Sequence, residues 1–108
     1  MQKKLKFEVF CVLGKLIRTT VDHWNTITKE KHLEIYNKEK EIVSALTDPC
    51  EIRKSSKDKN VYLYYIKIGK YYYCAVARHL NGEGFLITAY LTNNLKEGEI
   101  VWKKRKSE

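Results

Sequence analysis

The stretch NVYLYYIKIGKYYYCAVA, residues 60–77, carries six of the chain's eight tyrosines. Two aromatic runs with period-two alternation flank Gly69-Lys70. A two-residue loop with glycine first is a hairpin signal. With that loop the register follows. Ile68 faces Tyr71, Ile66 faces Tyr73, Tyr64 faces Ala75 and Tyr62 faces Ala77. Opposed residues share a face of the sheet, so these eight uncharged side chains form a core wall. The large–small pairing leaves room over the two alanines for a helix. The opposite face holds Lys67 with Tyr72, Tyr65 with Cys74, Leu63 with Val76, and Val61 with Arg78. A slip of one residue would exchange the two sets.

The rest of the chain follows the same logic. Leu5, Phe7, Val9 and Cys11 alternate with Lys4, Lys6, Glu8 and Phe10, which predicts a strand. Gly14-Lys15 turns the chain, and KLIRTT, residues 15–20, returns as its partner. Thr19 or Thr20 caps a first helix with Asp22 in its first turn. A second helical pattern runs from about Tyr36 to Leu46, its apolar stripe made by Ile35, Ile42, Val43 and Leu46. Asp48-Pro49 stops it. After that come a short strand at Ile52-Arg53, the tyrosine hairpin, a turn at Asn81-Gly82, a strand at 85–92 and a last strand at 100–103. Parity puts Phe85, Ile87, Ala89 and Leu91 on the apolar face. It puts Thr88 and Tyr90 on the other, with Arg53, Tyr65, Lys67 and Arg78. The expected fold is α+β: an N-terminal hairpin, two helices, then a four- to five-stranded antiparallel sheet with helices packed on one face. Residues 1–102 read as one domain and 103–108 as a frayed basic tail.

Lys and Arg number 21 against 13 acids, a formal charge of +8 on 108 residues. Such an excess points to a polyanionic partner, nucleic acid before anionic membrane. No apolar run is long enough to span a bilayer. The first residues read as a strand, not a signal peptide. Cys11, Cys50 and Cys74 are an odd set without zinc spacing, and read as thiols of a reducing, cytoplasmic compartment.

Motifs for nucleotide, metal-protease or hydrolase chemistry are absent. The acids are scattered, so no cofactor and no metal is expected. Metal-free RNA cleavage needs less: the ribose 2′-OH is the nucleophile, and the protein supplies a base, an acid and cations. Histidine, lysine, arginine and tyrosine suffice, and the chain is rich in the last three.

One order of motifs is specific. Trp24–His32 (WNTITKEKH) is followed by IVSALTDPCEIRKS, VYLYYIKI, YYYCAVAR and GFLITAYLTNNLKEGEIVW. This order resembles phage and mobile-element nuclease domains of the Barnase–EndoU–colicin–RelE superfamily, over about residues 14–102. Leu33 stands where that pattern has proline. The resemblance implies a metal-independent ribonuclease of toxin or effector type. It also implies His32, Arg53, Thr88 and Tyr90 as catalytic residues.

The expected substrate-binding residues are Lys31, Tyr65, Lys67 and Arg78. Arg53 and Arg78 would hold the phosphate, and Tyr65 would stack a base; Trp24 fits the core better. The partners would be RNA and an acidic antitoxin or immunity protein, with no membrane. The alternative is a non-catalytic basic module that binds nucleic acid or protein. A third reading is an enzyme on a small acidic substrate.

Overall fold

A computed structural model describes residues 4–95 and 97–105. Seven strands form one sheet: β1 Leu5–Phe10, β2 Leu16–Thr20, β3 Glu51–Lys54, β4 Val61–Ile68, β5 Tyr71–His79, β6 Glu83–Thr92 and β7 Glu99–Lys103. Their order is β1-β2-β6-β5-β4-β3-β7. The expected α+β class holds, and strands β3 to β7 make the five-stranded antiparallel part. The hairpin β1-β2 joins it through a parallel pairing of β2 with β6.

The β4-β5 hairpin has the register that Gly69 dictates. Eight Cα pairs run from Ile68↔Tyr71 to Val61↔Arg78. Gly69 has φ of 66°, which a glycine adopts without penalty. On the core face Tyr64, Ala75 and Ala77 are fully buried. Helix α2, Glu39–Thr47, packs on β4 and β5 with Ile42, Ala45 and Leu46 inward. Each buried aliphatic side chain there contributes ~1.5–3 kcal/mol.

The first helical region departs from a simple helix. α1 spans Val21–Thr26 and is capped by Thr20, whose hydroxyl accepts from His23 N at 3.1 Å. It widens into a π-helical turn at Ile27–Lys31, closed by His32 N donating to Ile27 O at 2.7 Å. A 3₁₀ turn at Leu33–Ile35 follows, so α2 begins at Glu39 and not at Tyr36. Trp24 is core, edge-on to Phe7 with ring centroids 6.0 Å apart.

Three expectations need correction. First, β6 carries a bulge: Val76 pairs with Thr88 but Ala77 pairs with Leu86, which leaves Ile87 as the extra residue. Parity therefore reverses before Ile87. Leu86 enters the core, and Phe85 lies 41% exposed on the other face. Second, that other face is not open. β7 lies beyond β3, four strands from β6, a distance of ~19 Å. The connection after Thr92 must cross the sheet, and Leu95 packs on Val61, Leu63, Tyr65, Cys74 and Val76 as a second small core. Third, the basic end is not frayed at its start. Lys103 is in β7, and Lys104 donates from its backbone to Cys50 O and from Nζ to Asp48 Oδ1, both at 3.0 Å. Residues 106–108 of the expected tail lie outside the described residues. Among the described residues no helix is long and apolar enough to cross a membrane.

Gly84 of β6 lies between Ile17 of β2 and His79 of β5. A Cβ there would collide with the Arg78 carbonyl and stand 2.9 Å from Ile17 Cδ1. Both neighbours are fixed in the sheet. We expect Gly84→Ala to lower stability by about 2–3 kcal/mol, measured as a shift of the urea midpoint at constant m-value. A midpoint equal to wild type would mean that the parallel β2-β6 pairing is not as described.

Candidate functional site

The connection from β6 to β7 forms a strap over one face of the sheet, and the register arranges that strapped face in rows across β3, β4, β5 and β6. One row is Glu51, Tyr65, Cys74, Tyr90. The next is Arg53, Leu63, Val76, Thr88. Arg53, Arg78, Thr88 and Tyr90 thus share one face of the sheet, though not one environment.

His32 ends the π-helical turn beside β6. Its imidazole lies against Tyr90, ring centroids 5.9 Å apart and planes tilted 39°. Glu34 Oε2 sits 3.4 Å from His32 Nδ1, with the imidazole about one-third exposed. A π turn shifts every following residue relative to an α-helix, and here that shift brings a histidine to the sheet. Under the strap is a cavity of about 260 Å³. Val61, Leu63 and Val76 give it an apolar floor, Thr88 and Tyr90 line it, and Ser55, Asp58 and Glu97 add polar groups. Thr88 Oγ1 is buried with no hydrogen-bond partner among the described residues. A buried hydroxyl without a partner costs stability.

Tyr90 and Tyr65 of this face stay neutral. Burial, then neighbouring Cys74, pushes the Tyr90 phenol far above its ordinary value. Burial likewise pushes Tyr65 up to about 12 and the Cys74 thiol up to about 12.

Other expected residues are placed differently. Tyr65 is 1% exposed, so no base can stack on it; the strap and the Glu51–Cys74 row bury it. Arg53 is not a free phosphate clamp. Its Nε donates to Glu51 Oε2, and the pair's side chains are only 14% and 7% exposed. Burial holds the two charges together, while the two terminal nitrogens keep four further N–H donors. Arg78 Nη1 donates to Lys59 O at 3.1 Å. It lies two strands and one row from Arg53, a backbone separation of ~12 Å. Lys67 is exposed, its ammonium 5.8 Å from the Tyr72 ring centroid. Lys31 is exposed next to His32 in the chain. The structure therefore brings His32 to Tyr90, with Thr88 one row along the same strand. Arg53, paired with Glu51, lies three strands from Thr88, a backbone separation of ~14 Å; Arg78 lies one strand and one row from Thr88, and Lys31 and Lys67 are exposed.

A second polar cluster, centred on His79, was missed by sequence reasoning. It lies on the core side, at the end of β5. His79 Nε2 is 2.6 Å from the Tyr64 hydroxyl, which donates to Cys11 Sγ at 3.0 Å. Its ring stacks on Tyr62, centroids 4.1 Å apart and 18° from parallel. Burial, then Lys15, lowers its pKa to about 4. Period-two counting from Ala75 and Ala77 was the available signal, since it puts residue 79 on the core face. His23 serves the fold instead, with its Nε2 2.9 Å from Ile87 O at the bulge. Among the described residues no three His, Cys, Asp or Glu side chains gather as metal ligands.

These shifts set the stability profile. Unfolded His79 takes a proton below its ordinary 6.5, while the folded one resists it until about 4. The unfolded state thus binds more protons in that window, and stability falls as pH drops from 6.5 to 4. At the alkaline end the unfolded Cys74 and Tyr65 ionise from 9 and 10, but the folded ones only near 12. Their contribution is full below pH 9 and is lost as pH rises toward 12. Urea midpoints across pH should trace both limbs. The acid limb should flatten in His79→Gln and the alkaline one in Cys74→Ala; limbs unchanged by these substitutions would assign the protons elsewhere.

No family model matches the chain, and no curated protein or solved structure matches it either.

Proposed function

We propose that the chain is a metal-independent endoribonuclease working where His32 meets the strapped face. The observation that carries this reading is the His32–Tyr90 contact beside a cavity that holds the unpartnered Thr88 hydroxyl. Glu34 on Nδ1 orients the imidazole and leaves Nε2 for proton exchange. In the reaction the 2′-oxygen attacks phosphorus and the P–O5′ bond breaks. His32 takes the 2′-hydroxyl proton and, as imidazolium, returns it to O5′ of the leaving strand. The products are a 2′,3′-cyclic phosphate and a free 5′-hydroxyl. The neutral Tyr90 phenol and the Thr88 hydroxyl donate hydrogen bonds to the charge that builds on the phosphoryl oxygens. The terminal nitrogens of Arg53, three strands and ~14 Å from Thr88 in the same row, serve a phosphate further along the RNA strand and not the scissile one. Lys31 and Lys67, with the net charge of +8, attract the RNA backbone. The proposed partners are RNA and, for a toxic nuclease, an acidic inhibitor, in a cytoplasmic setting.

One observation favours a second reading. Glu51 already neutralises Arg53, and Asp58 and Glu97 line the cavity. A non-catalytic module that binds RNA through its outer lysines would tolerate that arrangement better than a phosphodiesterase.

The product decides between the readings. RNA incubated with the protein in EDTA should yield 2′,3′-cyclic phosphate ends. His32→Ala should lower kcat about 10²–10⁴-fold, and Tyr90→Phe should lower it with little change in KM. RNA that stays intact while binding falls steeply with salt would replace the nuclease by the binding module. Equal cleavage by wild type and both variants would remove the site assignment.

A further inference from the structure

The His79 cluster opens to solvent, and what surrounds it is chemically one-sided. A pocket of about 460 Å³ is lined by Lys15, Asn60, Tyr62, His79, Leu80 and Asn81. Among the described residues no carboxylate lines it, in contrast to the cavity under the strap. Three connections converge there: the β1-β2 turn brings Lys15, the β3-β4 turn brings Asn60, and the β5-β6 turn brings Asn81.

Each donor is positioned by the fold. Lys15 Nζ donates to Leu80 O at 3.2 Å, which uses one of its three N–H bonds. Asn60 has φ of 63°, the only left-handed non-glycine residue among those described. Its carbonyl accepts from His79 N at 2.7 Å, which locks that conformation in place. Backbone held in a sparsely populated region is typical of ligand-binding positions. Tyr62 is fixed by stacking on His79, and the His79 imidazole is anchored in turn through Tyr64 to Cys11. The rigid part of the pocket is thus buried, and its donors face outward from three turns.

We infer that this pocket binds the phosphate group of a nucleotide, either a free mononucleotide or the phosphorylated end of an RNA strand. One ammonium, two carboxamides and a phenol offer more donors than a carboxylate's two oxygens can use. A phosphate presents three strong acceptor oxygens. The volume beyond one phosphate leaves room for a sugar and a base edge, and Asn side chains pair with base edges through both donor and acceptor. The pocket is on the core side of the sheet and the proposed ribonuclease site on the strapped side, so the inference is independent of the nuclease reading.

Around the imidazole stand the Tyr62 and Tyr64 phenols of β4, the Cys11 thiol and the Lys15 ammonium, so His79 reports on the pocket. A phosphate arriving there offsets Lys15 and favours imidazolium. In NMR pH titrations of the whole chain, 5′-AMP should raise the His79 pKa by about one unit or more and leave His23 unmoved. Lys15→Ala and Asn60→Gly, which keeps the backbone geometry, should each weaken the nucleotide titration at least tenfold. Inorganic phosphate should act like 5′-AMP at higher concentration, and acetate should not. A 2′-O-methyl oligonucleotide with a 5′-phosphate, compared with its unphosphorylated twin, separates the two sources: response to the phosphorylated strand assigns an RNA end, and response to 5′-AMP alone assigns a mononucleotide. No shift with any phosphate, an equal shift with acetate, or undiminished binding by folded Lys15→Ala would overturn the inference, whatever the outcome of the cleavage assay.

Discussion

The ladder between β4 and β5 sets everything else. Its register comes from one glycine-led turn, and it sorts the side chains of two central strands onto two faces. A shift by a single residue would put Lys67 and Arg78 into the core and Tyr64 outside. Because Ala75 and Ala77 lie opposite Tyr64 and Tyr62, α2 can rest on the sheet close to the backbone. The helix that precedes it is then pulled along the edge of β6, where His23 takes the Ile87 carbonyl and His32 reaches Tyr90. The position of the candidate imidazole is therefore a consequence of how two strands pair some distance away.

The strap from β6 to β7 converts an open face into a second core. Its physical effect is to desolvate polar side chains that an open antiparallel face would leave in water. Glu51 and Arg53 become a buried pair, and Tyr65, Cys74 and Tyr90 are held neutral. In a low-dielectric setting neutral donors retain more of their interaction with an anion than donors in water. A site at the edge of the strap gains from that environment, while a guanidinium locked to a carboxylate contributes geometry more than charge.

Much of the fold was legible because it rests on short-range rules. Alternation, a turn glycine and an Asp-Pro stop placed the strands, their central register and the end of α2. The failures have a common cause. The Ile87 bulge, the π turn before His32 and the crossing strap all depend on contacts between residues distant in sequence, and period counting carries no information about them. Tyr65 was expected at a surface because only an excursion of the later chain, with Leu95, covers it. Arg53 was expected free because two residues that flank Ile52 in the sequence lie on one face of a strand, and the resulting pair with Glu51 is a matter of burial. His79 is different: its parity was readable, but a loop signal at Asn81-Gly82 outweighed it.

Charge must also be read locally. A net +8 acts at long range and survives as steering, yet it says little about any one pocket. Arg18 is tied to Glu8 and Glu83, Lys6 to Glu39 and Lys104 to Asp48. The two polar cavities then differ in kind. The one under the strap has acids at its rim and neutral hydroxyls inside, which can donate hydrogen bonds without adding charge of their own. The one beneath His79 has an ammonium and amides and no acid, which suits an anion that is already charged when it arrives. A polyanion steered to this surface would find both, one on each side of the same sheet, and the sheet itself, fixed by Gly69, keeps them from merging into one site.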